Sequence, residues 1–227
     1  MRVLLLCDEH YHPGQVAIDG TAPLKDKGYE FDIIKNGREF KSEILGSYQV
    51  VLLSNCDEAT PEDRTSWKTD EIQQAFIDFV EKGGGLLVVH SGTVPGENTG
   101  ALDQLIGSKF VYHPNQTPVT VEPVKPHPVT EGVGMFCEMD EQYHLEILSD
   151  DVDILMAGYA PAQGDTEKYE ADPYHNAPAK ICPSGYVRTQ GNGRVCVLTP
   201  GHNLAVWLNP QFQRALDNGL QWCAGVR

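Results

Sequence analysis

The sequence predicts an α/β fold, a three-layer sandwich built around a mainly parallel sheet. Strand and helix patterns alternate through the first half of the chain, several strands are apolar on both faces, and an amphipathic helix closes the chain. Strands that are apolar on both faces are typical of parallel sheets covered by helices on each side. These three observations together predict the α/β class.

Four apolar runs predict the parallel strands, at Arg2–Cys7, Glu30–Ile34, 48–54 and 85–90. Between the last two, apolar residues from Ile72 to Val80 recur at helical spacing and are followed by three glycines, which predicts a helix with a glycine stop. A second helix follows Pro210, where apolar residues up to Cys223 repeat the spacing. Such βαβ units are typical of flavodoxin- or Rossmann-like sheets.

Residues 107–190 have a different, proline-rich pattern. Short β-like pieces occur at 119–124, 146–148, 153–159 and 179–187, and a polar loop covers 158–178. We interpret this stretch as an antiparallel or irregular elaboration within one domain spanning residues 1–227. A further strand at 194–199 follows it.

Composition and charge limit the possible partners. The chain has 227 residues, of which 41% are hydrophobic and 22% charged, enough to bury a core. Its 32 acidic residues against 17 basic ones give a net charge of −15, which repels nucleic acid and anionic membranes. The first apolar run is too short for a signal peptide or a membrane span. Six scattered cysteines without a C-x-x-C pair indicate reduced thiols in a cytoplasmic protein. The sequence does not decide whether the chain forms a homo-oligomer.

Polar, chemically capable residues follow the predicted strands. They occur in the segments 8–14, 90–92, 140–144 and 201–203. Because ligands bind beyond the carboxyl ends of parallel strands, we expect His10, His12, His90 or His202 to meet Glu141 in one crevice. Such a group would hold a divalent metal such as zinc, or supply a general acid and base. The spacing does not choose between these two roles.

The competing interpretation is that each histidine hydrogen-bonds a loop. His113 and His127 stand beside prolines and are expected to be structural, and His144 is a weaker candidate than the cluster above. The run from Gly83 to Gly92 has the shape of a nucleophile elbow, but its corner position holds His90 where a Cys or Ser is required.

Several ordered motifs resemble the ThuA-like (trehalose utilisation) family, within the class I glutamine amidotransferase-like fold. The motifs are Glu9-His10-x-His12-Pro13-Gly14, Gly83-Gly84-Gly85-Leu86-Leu87-Val88-Val89-His90-Ser91-Gly92, His127-Pro128-Val129-Thr130-Glu131-Gly132, Asp140-Glu141-Gln142-Tyr143 and Pro200-Gly201-His202. The resemblance implies a Rossmann-like sheet and a role in bacterial carbohydrate catabolism on glycosides or their 3-keto derivatives. Amidotransferase relatives use a Cys-His-Glu triad, and His90 in place of that cysteine argues against glutamine hydrolysis.

Two functions remain open at this point. The first is an enzyme that performs acid–base, or metal-assisted, chemistry on a glycoside or 3-keto-sugar, with His90, Glu141 and His202 as the catalytic residues. The second is a non-catalytic carbohydrate-binding or regulatory protein that retains the crevice without the nucleophile. In both, the partner is a small sugar or sugar derivative, and the expected substrate-binding residues are Tyr11, Ser91, Tyr143 and Asn203.

Overall fold

The computed structural model describes residues 1–226, and within them eleven strands and five α-helices form. The strands are β1 (Arg2–Cys7), β2 (Glu30–Ile34), β3 (Val50–Ser54), β4 (Gly85–Val89), β5 (Ser108–Tyr112), β6 (Thr117–Pro123), β7 (Phe136–Asp140), β8 (His144–Ile147), β9 (Asp153–Ala160), β10 (Lys180–Gln190) and β11 (Gly193–Leu198). The helices are α1 (Gly14–Thr21), α2 (Asp70–Glu81), α3 (Gly100–Ile106), α4 (Leu204–Leu208) and α5 (Pro210–Cys223).

Nine strands form one mixed sheet in the order β2-β1-β3-β4-β11-β10-β9-β6-β7. The first five strands are parallel, and the last four continue the same sheet in antiparallel pairings. The predicted α/β class is confirmed. The predicted parallel sheet is present, and the predicted antiparallel elaboration at 107–190 extends that same sheet, so the complete sheet is mixed, with as many antiparallel pairings as parallel ones.

A tight turn accounts for the change from parallel to antiparallel pairing. Strands β10 and β11 are joined through Gly191, which has φ 58°, and Asn192. A two-residue connection joins only antiparallel neighbours, and the left-handed conformation at Gly191 suits such a turn. Strands β5 and β8 pair separately as a two-stranded sheet.

Alternate side chains of β1 enter two different cores. Val3 and Leu5 pack in the core that contains α5, whereas Leu4 and Leu6 pack in the core that contains α2. This alternation is the period of a strand buried on both faces. Helices therefore cover both sides of the sheet, and no described helix is long and apolar enough to cross a membrane.

The register of the parallel strands sets the position of the site. Cys7 at the end of β1 pairs with Ser54 at the end of β3, and Val89 at the end of β4 pairs with Leu198 at the end of β11. The segments that follow these four strands consequently emerge at one edge of the sheet.

Candidate metal centre and active site

His90 begins the segment after β4 and is held in a single orientation. Its backbone has φ 48°, its side chain is buried, and its Nδ1 lies 2.8 Å from the carbonyl oxygen of Thr199. A carbonyl oxygen only accepts hydrogen bonds, so Nδ1 carries the proton. In the neutral ring, Nε2 therefore has a free lone pair, which faces Glu141.

Glu141 follows β7 and is the centre of a ring of histidines. Its Oε2 lies 3.1 Å from Nδ1 of His202, 3.4 Å from Nε2 of His90, 3.6 Å from Nε2 of His113 and 3.9 Å from Nε2 of His12. Glu141 as a whole is 8% exposed. Four imidazoles from separate segments thus meet at one buried oxygen.

A second carboxylate orients His12. Oε1 of Glu9 contacts Nδ1 of His12, and Oε2 of Glu9 accepts the backbone N–H of Tyr11 at 2.8 Å. Glu9 is 1% exposed, so this carboxylate is itself fixed. A carboxylate behind an imidazole is the usual outer partner of a metal-bound histidine, since it fixes the tautomer and makes the other nitrogen more basic.

Asp140 positions His202 through the backbone. Its two carboxylate oxygens accept the N–H groups of Gly201 at 2.9 Å and of His202 at 3.0 Å. The carbonyl of Gly201 also accepts the indole N–H of the fully buried Trp207 at 2.7 Å. The loop after β11 is therefore held from both sides.

Three buried polar atoms at this site make no hydrogen bond: Nε2 of His90, Nδ1 of His202 and the hydroxyl of Ser91. Buried polar atoms are nearly always paired, so each of these three requires an explanation. The two histidine nitrogens are close enough to Glu141 to bond to it, yet their directions are not those of hydrogen bonds. Nitrogens that face a common centre instead of each other are typical of metal ligands.

The spacing of the donor atoms suits a small divalent ion. One donor atom from each of His12, His90, Glu141 and His202 lies within 4.8 Å of all the others. Tetrahedral zinc with ligands at about 2.0–2.1 Å has donor atoms about 3.4 Å apart. The contacts of Glu141 with these three histidines, at 3.1–3.9 Å, bracket that spacing.

The titration behaviour of the cluster reflects its concentrated charge. Burial would raise the pKa of Glu141, but contacts with His12, His202 and His90 outweigh burial and hold it well below its usual range. Burial also opposes protonation of His12, but Glu141 and Glu9 raise its pKa to about 9. Burial lowers the pKa of His90. The two carboxylates therefore favour a cation among the imidazoles, either a proton or a metal ion.

The other predicted site residues differ in how close they lie to the histidine cluster. Tyr143 stacks on His90 with ring centroids 4.0 Å apart, and its hydroxyl lies 3.5 Å from Nε2 of His12. The amide of Asn203 donates to Gln116 and to the carbonyl of Met139. Asn203 thus ties loops together beside the cluster.

His10 is not brought into the cluster. It is exposed, and its Nδ1 lies 3.2 Å from the carbonyl oxygen of Pro61. The chain bends at residues 10–12, where the backbone N–H of Glu9 donates to the carbonyl of His12 at 3.3 Å. This turn points His12 inward and leaves His10 outside, so the expectation of His10 as a ligand needs correction. Tyr11 is 59% exposed and lies in an adjacent cleft.

Sequence reasoning missed two residues of the cluster. His113 was expected to be structural, but its Nδ1 lies 2.9 Å from the carbonyl of Pro114 and its Nε2 faces Glu141. Nothing in its local sequence marks this role, because the contact is between segments distant in the chain. Glu9 did carry a signal, since it opens the Glu9-His10-x-His12 motif.

Fold and site together define an α/β protein with a histidine–carboxylate centre at the carboxyl edge of its parallel strands. The family model ThuA, described as trehalose utilisation, matches residues 2–223, and the chain belongs to this family. Membership supports a role in carbohydrate metabolism. No curated protein has a sequence similar enough to count as a match.

Solved structures share the fold at low sequence identity. A putative ThuA-like protein from Parabacteroides merdae has a TM-score of 0.76 and 18% identity, covering 100% of this chain and 91% of that one. One from Bacteroides uniformis has a TM-score of 0.73 and 20% identity, covering 98% and 91%. A β-galactosidase from Bacillus circulans sp. alkalophilus has a TM-score of 0.64 and 13% identity, and the match covers 98% of this chain but only 31% of the enzyme.

Proposed function

We propose that this protein is an enzyme of carbohydrate catabolism that acts on a glycoside or a 3-keto-sugar by metal-assisted acid–base chemistry. The observation that supports it most is the pair of buried, unpartnered nitrogens of His90 and His202 beside Glu141. These residues and His12 would hold the ion, and zinc suits the three imidazoles and one carboxylate. When bound, the ion would supply a Lewis acid for a sugar oxygen.

The remaining residues supply the proton transfers. His113 lies beside the ligand set, its side chain is 23% exposed, and its Nε2 has a free lone pair in the neutral ring. Of the four imidazoles at Glu141, His113 is the most exposed, so it is best placed to exchange a proton with a bound sugar. Tyr143 stacks between His113 and His90 and keeps both rings in place.

A 3-keto-glycoside would react by elimination. The ketone acidifies the hydrogen on C2, a base takes that proton, a C1=C2 double bond forms, and the C1–O bond to the leaving group breaks. The departing oxygen takes a proton from the conjugate acid, so the proton balance closes. His113 serves as base and then as acid in this scheme.

Glutamine hydrolysis is not expected. The elbow position carries His90, whose imidazole cannot form the thioester that a cysteine would. Burial, followed by the nearby Asp8, raises the pKa of the Cys7 thiol to about 12, and burial raises that of Cys56 to about 12. Neither thiol is available as a thiolate near neutral pH.

Zinc titration followed by calorimetry, with the metal content of the purified protein, tests the proposal. His202→Ala removes a ligand and should abolish stoichiometric binding, whereas Glu9→Gln, which removes an outer carboxylate, should weaken it by about 10–100-fold. His175→Ala is the matched control, because His175 is exposed and bonded to Asp172. Equal zinc binding by His202→Ala and the wild type would contradict the metal centre.

Turnover distinguishes the enzyme from the alternative, a carbohydrate-binding protein without catalysis. The zinc-loaded protein should convert a 3-keto-disaccharide, and His113→Gln should lower kcat while zinc affinity stays within about threefold of the wild type. Sugar binding without turnover by the zinc-loaded wild type would favour the binding protein.

A further inference from the structure

A cleft lies beside the histidine cluster and is not used by the scheme above. It has a volume of about 610 Å³ and is formed by the segments that follow β1, β3 and β4. Glu9 and His12 line one end, so the cleft begins at the cluster. Sites for small molecules have volumes of about 300–1,000 Å³, so there is room for a sugar ring beyond the reacting one.

Tyr11, Arg64 and Glu58 form a preorganised shelf in this cleft. The Arg64 guanidinium lies 5.0 Å from the centroid of the Tyr11 ring and donates to the Tyr11 hydroxyl at 3.0 Å. Nε of Arg64 donates to Glu58 at 2.6 Å, and the backbone N–H of His10 donates to the other oxygen of Glu58 at 3.0 Å. The shelf thus presents an exposed aromatic ring together with fixed donors and acceptors.

The chemistry of the shelf fits a sugar ring. The C–H face of a pyranose packs on an aromatic ring, and its hydroxyls both donate and accept hydrogen bonds. A guanidinium next to a carboxylate satisfies both kinds of hydroxyl contact. Tyr11 is 59% exposed, so its ring contributes little to the core. Arg64 and the edge-on ring of His10 cover part of the ring, and the rest of its exposed surface is open to a ligand.

The charge of the cleft restricts the ligand further. Four carboxylates line it, Glu9, Asp57, Glu58 and Glu97, against two basic side chains that are already paired, Arg64 with Glu58 and His12 with Glu9. The whole chain carries a net charge of −15. A phosphate or carboxylate on the ligand would be repelled at the shelf.

We propose that the shelf of Tyr11, Arg64 and Glu58 binds the second ring of an uncharged disaccharide-type glycoside, and that it discriminates against phosphorylated and uronic sugars. The inference rests on the proposed function for the placement of the reacting ring at the histidine cluster. It adds the size and charge of the substrate, which the cluster alone does not give.

Calorimetric titration with trehalose, maltose and lactose, and with trehalose 6-phosphate, tests this inference. At least one uncharged disaccharide should bind, and the phosphorylated sugar should bind at least tenfold more weakly than its uncharged parent. Tyr11→Ala and Arg64→Ala should each weaken disaccharide binding at least tenfold. No binding of any disaccharide, or equal binding of the phosphorylated sugar, would overturn the inference.

Arg2→Ala is the matched control. Arg2 lies 4.9 Å from the Tyr48 ring centroid and pairs with Asp32 at 2.7 Å, the same arrangement at the opposite end of β1. The Arg2→Ala variant should bind disaccharides as tightly as the wild type does. If Tyr11→Ala also leaves binding unchanged while His202→Ala loses zinc, only this inference fails. If Tyr11→Ala loses the disaccharide while zinc binding is absent from the wild type, only the proposed metal chemistry fails.

Discussion

His90 keeps a backbone conformation that is costly for its residue type. A non-glycine residue in the left-handed region costs about 1–3 kcal/mol, and His90 has φ 48° while fully buried. The bond from Nδ1 to Thr199 and the stacking of Tyr143 hold it there. Strain that persists with an unpartnered Nε2 is typical of a functional site, and it supports the role proposed for this residue.

For single residues, the sequence identifies the reactive side chains more reliably than it identifies which of them contact one another in the folded protein. His12, His90, Glu141 and His202 all follow predicted strands or stand in motifs, and the rule for strand ends brings them together. His113 follows β5, in the separate two-stranded sheet, so that rule does not reach it. Its contact with Glu141 depends on long-range packing, which local sequence does not encode.

His144 should make stability depend on pH. Burial, and then the nearby Lys180 and His113, lowers its pKa from 6.5 to about 4. Between these pH values the unfolded chain binds a proton that the folded chain does not, so stability is complete above about pH 6.5 and falls as the pH drops towards 4. The wild type should lose about 1–2 kcal/mol more than His144→Gln between pH 7 and pH 5.

Urea unfolding at both pH values measures this difference. His175→Gln is the control, because His175 is exposed and should show the wild-type response. A wild type and a His144→Gln variant with the same change in unfolding free energy between pH 7 and 5 would show that His144 does not carry the effect.

At the scale of elements, continuous apolar runs were the reliable signal. Strands β1, β3 and β4 were predicted within two residues, because each is buried on both faces. Helix α1 was missed, since its eight residues contain two glycines and bury no large side chain. Strand β7 was missed because it is an edge strand with mixed burial, so its sequence lacks a continuous apolar run.

The contact between α1 and α4 leads to a prediction about Gly20. A Cβ at this position would lie 2.5 Å from the Cβ of Trp207, too close for any pair of carbon atoms. Trp207 also donates to Gly201, next to the proposed metal ligand His202. Gly20→Ala should therefore destabilise the protein by about 1–3 kcal/mol and weaken zinc binding.

Gly46→Ala is the matched control, because among the described residues a Cβ there meets no atom within 4 Å beyond its immediate neighbours in the chain. Its free energy of unfolding should stay within about 1 kcal/mol of the wild type. Thermal melts and zinc titrations of the two variants check the prediction, and equal stability of Gly20→Ala and Gly46→Ala would contradict the tight packing of α1 on α4.

At the scale of the whole molecule, the α/β class was predictable and the full sheet was not. The parallel half follows from apolar runs alternating with a helix. The antiparallel half depends on pairings such as β6 with β7, across a 12-residue connection, and β6 with β9, with two other strands between them in the chain. Local patterns give strands in this region but not their partners, since pairing is decided by the whole sheet.

The net charge of −15 should make the folded state sensitive to salt. Repulsion among like charges is strongest in the compact state, and the screening length falls from about 30 Å at 0.01 M salt to about 8 Å at 0.15 M. The melting temperature should rise by a few degrees, roughly 2–5 °C, over this range, because 1 kcal/mol shifts it by about 2–4 °C at this chain length. The double variant Asp26→Lys and Glu170→Lys, at two exposed positions, makes the net charge less negative and should show a smaller rise. Calorimetric melts in 10 and 150 mM NaCl at pH 7.5 provide the measurement, and a melting temperature that stays constant or falls with salt would show that charge repulsion does not limit the stability of this fold.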